Sequence, residues 1–157
     1  MNFGGRIFPG LVLLAVLAFC SIPEAYADEL SPREVVDAFH GALRAGDPHE
    51  ALGFLSARAV IFEGGGAELT LDEYASYHLG MDIRLAQATR RRVTHEAGSN
   101  GPQYAWFLSQ SEISGTFQGM PVNQATTETM ILSHLSGRWQ IVHIHWSSQR
   151  LRSPISN

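Results

Sequence analysis

The sequence predicts an α+β domain in which a run of helices is followed by long antiparallel strands, the strands forming a strongly curved sheet around three N-terminal helices. Three observations carry this. Two capping boxes, Ser31-Pro32-Arg33-Glu34 and Thr70-Leu71-Asp72-Glu73, each set a side-chain oxygen and a carboxylate three residues apart, the pairing that satisfies the free N–H groups of a helix start. After Ala88 the helical period gives way to long strand-like segments. Turn sequences at Gly98-Ser99-Asn100-Gly101-Pro102, Gly119-Met120-Pro121 and Ser136-Gly137 cut that region into hairpins. Helices first and antiparallel strands after them define the α+β class.

In order, Ser31 caps a first helix whose apolar face is Val35, Val36, Phe39 and Leu43. Gly46-Asp47-Pro48 stops it and starts a shorter second helix with Ala51, Leu52 and Leu55 inward. Arg58 to Glu63 reads as a strand ending in Gly64-Gly65-Gly66, a loop rather than a phosphate cradle because no Lys-Ser/Thr follows it. Thr70 starts a single helix through about Ala86, with Tyr74, His78, Met81 and Leu85 on one stripe and its acids in the first turn, where the helix dipole favours them. Strands are expected at Arg90–Glu96, Gln103–Phe117, Val122–Leu135 and Trp139–Ser148.

The 157-residue chain opens on a targeting segment: Arg6, an apolar run from Leu11 to Phe19, and Ala25-Tyr26-Ala27 as a small-x-small cleavage site. Residues 1–27 are therefore expected to be a cleaved signal peptide, residues 28–150 one domain, and residues 151–157 a loose tail. The run is short for a membrane span, so no membrane association is expected after cleavage. The expected location is the bacterial periplasm or the exterior. Cys20, the single cysteine, falls in the cleaved segment, which leaves the mature chain without thiol chemistry. Lysine is absent, and the net charge of −4 argues against nonspecific nucleic-acid binding. Arg90-Arg91-Arg92 is too short a basic run to change that.

The closing strand Trp139-Gln140-Ile141-Val142-His143-Ile144-His145-Trp146-Ser147 is the most informative stretch. Strict period two puts Ile141, His143, His145 and Ser147 on one face and Val142, Ile144 and Trp146 on the other. The two imidazoles then stand about 7 Å apart, near enough to share a ligand, a proton or a metal ion. With Trp139, Ile141, His143, His145 and Ser147 as the strongest local match, the chain from about Leu30 to Arg150 resembles the nuclear transport factor 2-like superfamily, more closely its SnoaL-like and ketosteroid-isomerase-like bacterial branch. The resemblance implies a cone-shaped, cystatin-like fold with a pocket at its open end, and homodimers that pair through the outer sheet surface. It implies functions from isomerases, cyclases, dehydratases and epoxide hydrolases to binding modules. The Asp, Tyr and protonated Asp used by the family's ketosteroid isomerases have no evident counterparts here, since the four long strands contain no Asp.

In such a cone the end of the first strand, the third helix and the last strand converge. Glu63, His78, His143 and His145 are the candidate catalytic residues, and Tyr74, Met81 and Trp106 the candidate ligand contacts. Histidine works as acid or base near neutrality, and a desolvated Glu63 would have its pKa raised into a useful range. Asp82, four residues after His78, is placed to orient it. The expected activity is cofactor-free isomerisation, dehydration or hydrolysis of a small organic molecule. The alternatives are a copper or zinc site on His78, His143 and His145 with Glu63 or Met81, and a non-catalytic binding or dimerisation module. His40, His49, His95 and His134 carry no supporting pattern.

Overall fold

The computed structural model describes Met1 and residues 29–151; the expected signal segment and the last six residues of the tail lie outside the described residues. Four helices and six strands follow in the order α1 (Pro32–Ala45), α2 (Pro48–Gly53), β1 (Leu55–Glu63), β2 (Gly66–Glu68), α3 (Leu71–Tyr77), α4 (Leu79–Ala88), β3 (Thr89–Asn100), β4 (Tyr104–Phe117), β5 (Met120–Leu135) and β6 (Arg138–Arg150). The α+β architecture is as expected. The strands form one curved, unclosed sheet in the order β2-β1-β6-β5-β4-β3, antiparallel throughout except where β1 runs parallel to β6.

Both capping sites form. Ser31 and Glu34 exchange hydrogen bonds, Thr70 Oγ1 accepts from the Glu73 N–H, and Asp47 caps α2. Gly46, at φ 79°, closes α1 in the left-handed conformation that glycine adopts without a Cβ clash. The core lies between α1 and the concave face of the sheet: Val35, Val36, Phe39 and Leu43 pack against Ile61, Met130, Leu132, Ile141 and Ile144, all buried.

The structure departs from the sequence reading in four places. Leu55 begins β1 rather than ending α2. Gly66–Glu68 forms a short edge strand, paired with Ile61–Glu63, that the glycine run concealed. The Gly98–Asn100 stretch continues β3, paired to Ala105–Phe107, so the turn is confined to the residues after it. The long third helix is two helices, broken at His78, whose φ of −112° lies outside helical geometry.

Candidate active site

A cavity of about 140 Å³ opens between α1, α4 and the concave face of the sheet. An engineered apolar cavity of about 150 Å³ holds benzene, so the enclosed part suits one small ring, and the open mouth lets a larger molecule extend outward. Two polar groups of opposite character line it.

The first group is a pair of desolvated carboxyls. Along β1, Ala59 and Ile61 point into the core, and the same alternation brings Glu63 to the cavity wall. Asp82 reaches it from the first turn of α4. Burial pushes the Glu63 carboxyl above its ordinary range, and His78 pulls it partly back. Burial also pushes Asp82 up, to about 7, with the nearby Glu63 charge adding to the effect. Behind Asp82 lies Tyr74, fully buried, whose hydroxyl donates to Asp82 Oδ2 at 2.9 Å. Burial and the neighbouring Asp82 raise the phenol far above its usual range, so it stays a neutral donor.

The second group is built on Glu128 of β5. Trp146 Nε1 donates to its Oε2 at 2.7 Å, and Arg91 Nη2 and Ser109 Oγ each donate to its Oε1 at 3.3 Å. His40 Nε2, from α1, sits 3.1 Å from Oε2. Burial acts to raise this carboxyl, but the charges and hydrogen bonds of His40, Arg91 and Trp146 outweigh it and hold the group down at about 2. Glu128 is thus ionised whenever the protein is folded near neutrality. It holds His40 and Arg91 at the cavity wall, which both residues line.

The histidines of the last strand are not in this cavity. Ile141 of β6 pairs with Leu132 and His143 pairs with Ile131, so Val142 is an extra residue, a β-bulge. The bulge lets Ile141 and Ile144 both point inward and become fully buried. Burying each is worth roughly 1.5–3 kcal/mol, which strict alternation would have forfeited for one of them. His143 and His145 are thereby turned to the convex face, where both contact the half-exposed Phe62. Trp146, placed on the other face, closes the cavity.

The other expected residues divide. Glu63 is at the site, and Tyr74 stands behind it as support for Asp82. His78 lies just outside the cavity lining, its Nδ1 against the Glu68 carboxylate, and acts on Glu63 and Asp82 by charge. The Asp82 carboxyl does not pair with the His78 ring; it accepts from the Tyr74 hydroxyl instead. Met81 faces outward beside Arg84. Trp106 is on the convex face, because its neighbour Ala105 is the inward residue. A metal set of His78, His143 and His145 does not converge, and among the described residues no three His, Cys, Asp or Glu side chains are grouped to hold an ion. His40 and Glu128 line the candidate site, and the sequence reading passed over both. The available signal was Phe39-His40, a polar residue beside the most buried position of an apolar helix face.

The chain belongs to the SnoaL-like domain family, which matches residues 33–150. Among solved structures it is similar to a candidate ketosteroid isomerase from Shewanella frigidimarina, at 31% identity over 74% of this chain and 94% of that one, with a TM-score of 0.70. A candidate dehydratase of the nuclear transport factor 2-like family from Streptomyces avermitilis shares the fold at 13% identity, covering 74% of this chain and 93% of that one, with a TM-score of 0.64. So does a candidate calcium/calmodulin-dependent kinase II association domain from Xanthomonas campestris, at 15% identity, 74% and 84% coverage and a TM-score of 0.64. No protein of curated function matches the sequence.

Proposed function

We propose that this protein is a cofactor-free acid–base enzyme that shifts a proton on a small carbonyl compound, with Glu63 and Asp82 as its proton-transfer pair. The observation that carries this reading is that two carboxyls from different elements line one small cavity and are both pushed toward neutrality by burial. Raising a carboxyl's pKa toward the working pH makes it better able to take and give protons, and burial acts in that direction on both groups. Tyr74 occupies Asp82 Oδ2, which leaves Oδ1 to carry the acid proton toward the cavity. In this arrangement Glu63 removes a proton from the carbon next to a carbonyl, Asp82 hydrogen-bonds the oxygen on which negative charge develops, and Glu63 returns the proton to the γ carbon. The similarity to a candidate ketosteroid isomerase supports the same class of reaction, while the cavity volume favours a single ring over a steroid.

The test is conversion of a β,γ-unsaturated cyclohexenone to its conjugated isomer, followed by ultraviolet absorbance, with binding of a nitrophenol as an enolate-like probe. The expected result is turnover by the wild type, reduced about 100-fold or more in Glu63→Gln and in Asp82→Asn. Binding of the phenol without turnover of the enone would make the site a binding pocket and overturn the catalytic reading.

The same proposal places the working protein outside the cytoplasm, on the strength of Arg6, the Leu11–Phe19 run and Ala25-Tyr26-Ala27. N-terminal sequencing of the chain recovered from the periplasm should begin near Asp28. Recovery of the uncut chain in the cytoplasm would refute export.

A further inference from the structure

We propose that the convex face of the sheet carries a zinc-class metal site made by His143 and His145 and completed by the same two residues of a second copy of this chain. One ion would then be held by four imidazoles between two chains. The site is separate from the cavity and does not depend on the reading given above.

The argument begins with the protonation of His143. Its Nδ1 lies 2.9 Å from the carbonyl oxygen of Val60. A carbonyl oxygen only accepts, so Nδ1 carries the hydrogen, and in the neutral ring Nε2 holds a free lone pair. A metal-ligating histidine is prepared in this way, with its second nitrogen donating to a backbone carbonyl that fixes tautomer and ring orientation. His145 follows two residues later on the same face and is exposed. Phe62, on the neighbouring strand, contacts both rings edge-on, at centroid distances of 5.2 Å to His143 and 6.3 Å to His145. The Phe62 ring thus stands beside both imidazoles. His40, His78 and His134 each face a carboxylate. Among the described residues, His143 and His145 face none.

Two ligands do not make a complete site, because zinc takes four in a structural setting. No third ligating side chain stands with this pair among the described residues. The surroundings indicate where the other two come from. Strand register places Ile131 and then Trp106 beside His143, and Thr129 and then Leu108 beside His145. Phe62, Trp106 and Leu108 are each about 40% exposed. This face therefore presents an apolar field with a pair of metal-ready imidazoles in it. A two-fold contact sets the same patch of two subunits against itself, so two plus two imidazoles meet at the axis. Tetrahedral coordination by nitrogen suits zinc, and cobalt(II) can stand in for it as a spectroscopic probe.

The experiment uses untagged mature protein stripped with a chelator, then titrated with zinc and with cobalt. Titration calorimetry should give one zinc per two chains. Sedimentation should show the dimer weakened at least tenfold by the chelator and restored by zinc. Cobalt should produce the intense visible absorption of a tetrahedral site. His143→Ala and His145→Ala should each abolish uptake, while His49→Ala, on an exposed helix, should not. His145 is exposed, so its variant remains a fair test if His143→Ala fails to fold. Absence of uptake, one ion per chain, uptake unchanged in His145→Ala, or a dimer indifferent to the chelator would each overturn the proposal.

Discussion

Tyr74 and Asp82 are joined by a hydrogen bond of 2.9 Å although they are eight residues apart. In a straight helix those residues would be separated by about 12 Å along the axis, beyond the reach of the pair. The break at His78 is what brings them together: α3 ends there, and α4 restarts with Met81 N–H and Asp82 N–H both bonded to the His78 carbonyl. The bond stabilises the ionised form of Asp82 against the burial that raises it.

Tyr74→Phe removes that bond while keeping the ring in the core. The midpoint of Asp82 should therefore rise above its value of about 7, because burial then acts with less opposition. Carbon-13 NMR of the Asp82 side-chain carboxyl across a pH series measures it. A midpoint that falls or stays constant would show that the hydroxyl does not favour the ionised carboxylate.

Asp82→Asn should separate stability from activity. The folded pKa of Asp82 is raised above its ordinary 3.8 to about 7. Folding therefore favours the protonated acid: its contribution is intact below pH 3.8, is lost as pH rises toward 7, and changes little above that. The full loss is on the order of 4 kcal/mol, from roughly three pKa units at about 1.4 kcal/mol each. An asparagine has no proton to lose, and its amide oxygen can still accept from Tyr74. The variant should be nearly neutral near pH 4 and more stable than the wild type at pH 8 by up to a few kcal/mol, as urea midpoints at the two pH values will show. An effect of the same size at both would mean that Asp82 does not titrate in the fold.

Glu128→Gln should behave in the opposite sense. Glu128 is held at about 2, below its ordinary 4.5, so its contribution is present above pH 4.5 and is lost as pH falls toward 2. Replacing it leaves His40 and Arg91 without their counter-charge in a largely buried place. Breaking such a cluster by removing one partner costs about 3–5 kcal/mol. The penalty should be large at pH 7 and much smaller at pH 3, read by denaturant unfolding. A pH-independent penalty would point to lost packing rather than lost charge.

Much of the fold was legible because local rules and tertiary structure agree along most of this chain. Ser31, Asp47 and Thr70 cap helices as their chemistry dictates, and the strands β3 to β6 follow from alternation and turn residues. The site was legible only where period two held without interruption. Glu63 was named from its place at the end of the first strand, and the structure brings it to the cavity because Ala59, Ile61 and Glu63 keep a regular alternation into the core. His143 and His145 were misplaced by one extra residue, Val142, whose bulge depends on burying Ile141 and Ile144 together, a long-range packing demand with no local signature. The role of Asp82 was hidden by the break at His78, because a continuous apolar stripe through Tyr74, His78 and Met81 reads as one helix. Glu128 looked like one polar residue in a Thr-rich strand, and its meaning comes from partners on α1, β3, β4 and β6.

The coupling between the two carboxyls gives the most direct check on the site. Glu63 raises Asp82 by repulsion between like charges, after burial itself. Glu63→Gln removes that charge without changing the size of the side chain, so the Asp82 midpoint should move down from about 7. Tyr74→Phe moves the same midpoint up, and the double variant should fall between the two, since the hydrogen bond and the charge act on Asp82 from different sides. Carboxyl NMR of all three proteins decides the matter without a known substrate. If Asp82 titrates identically in wild type and Glu63→Gln, the two acids do not sense one another, and they cannot be the proton-transfer pair of a single cavity.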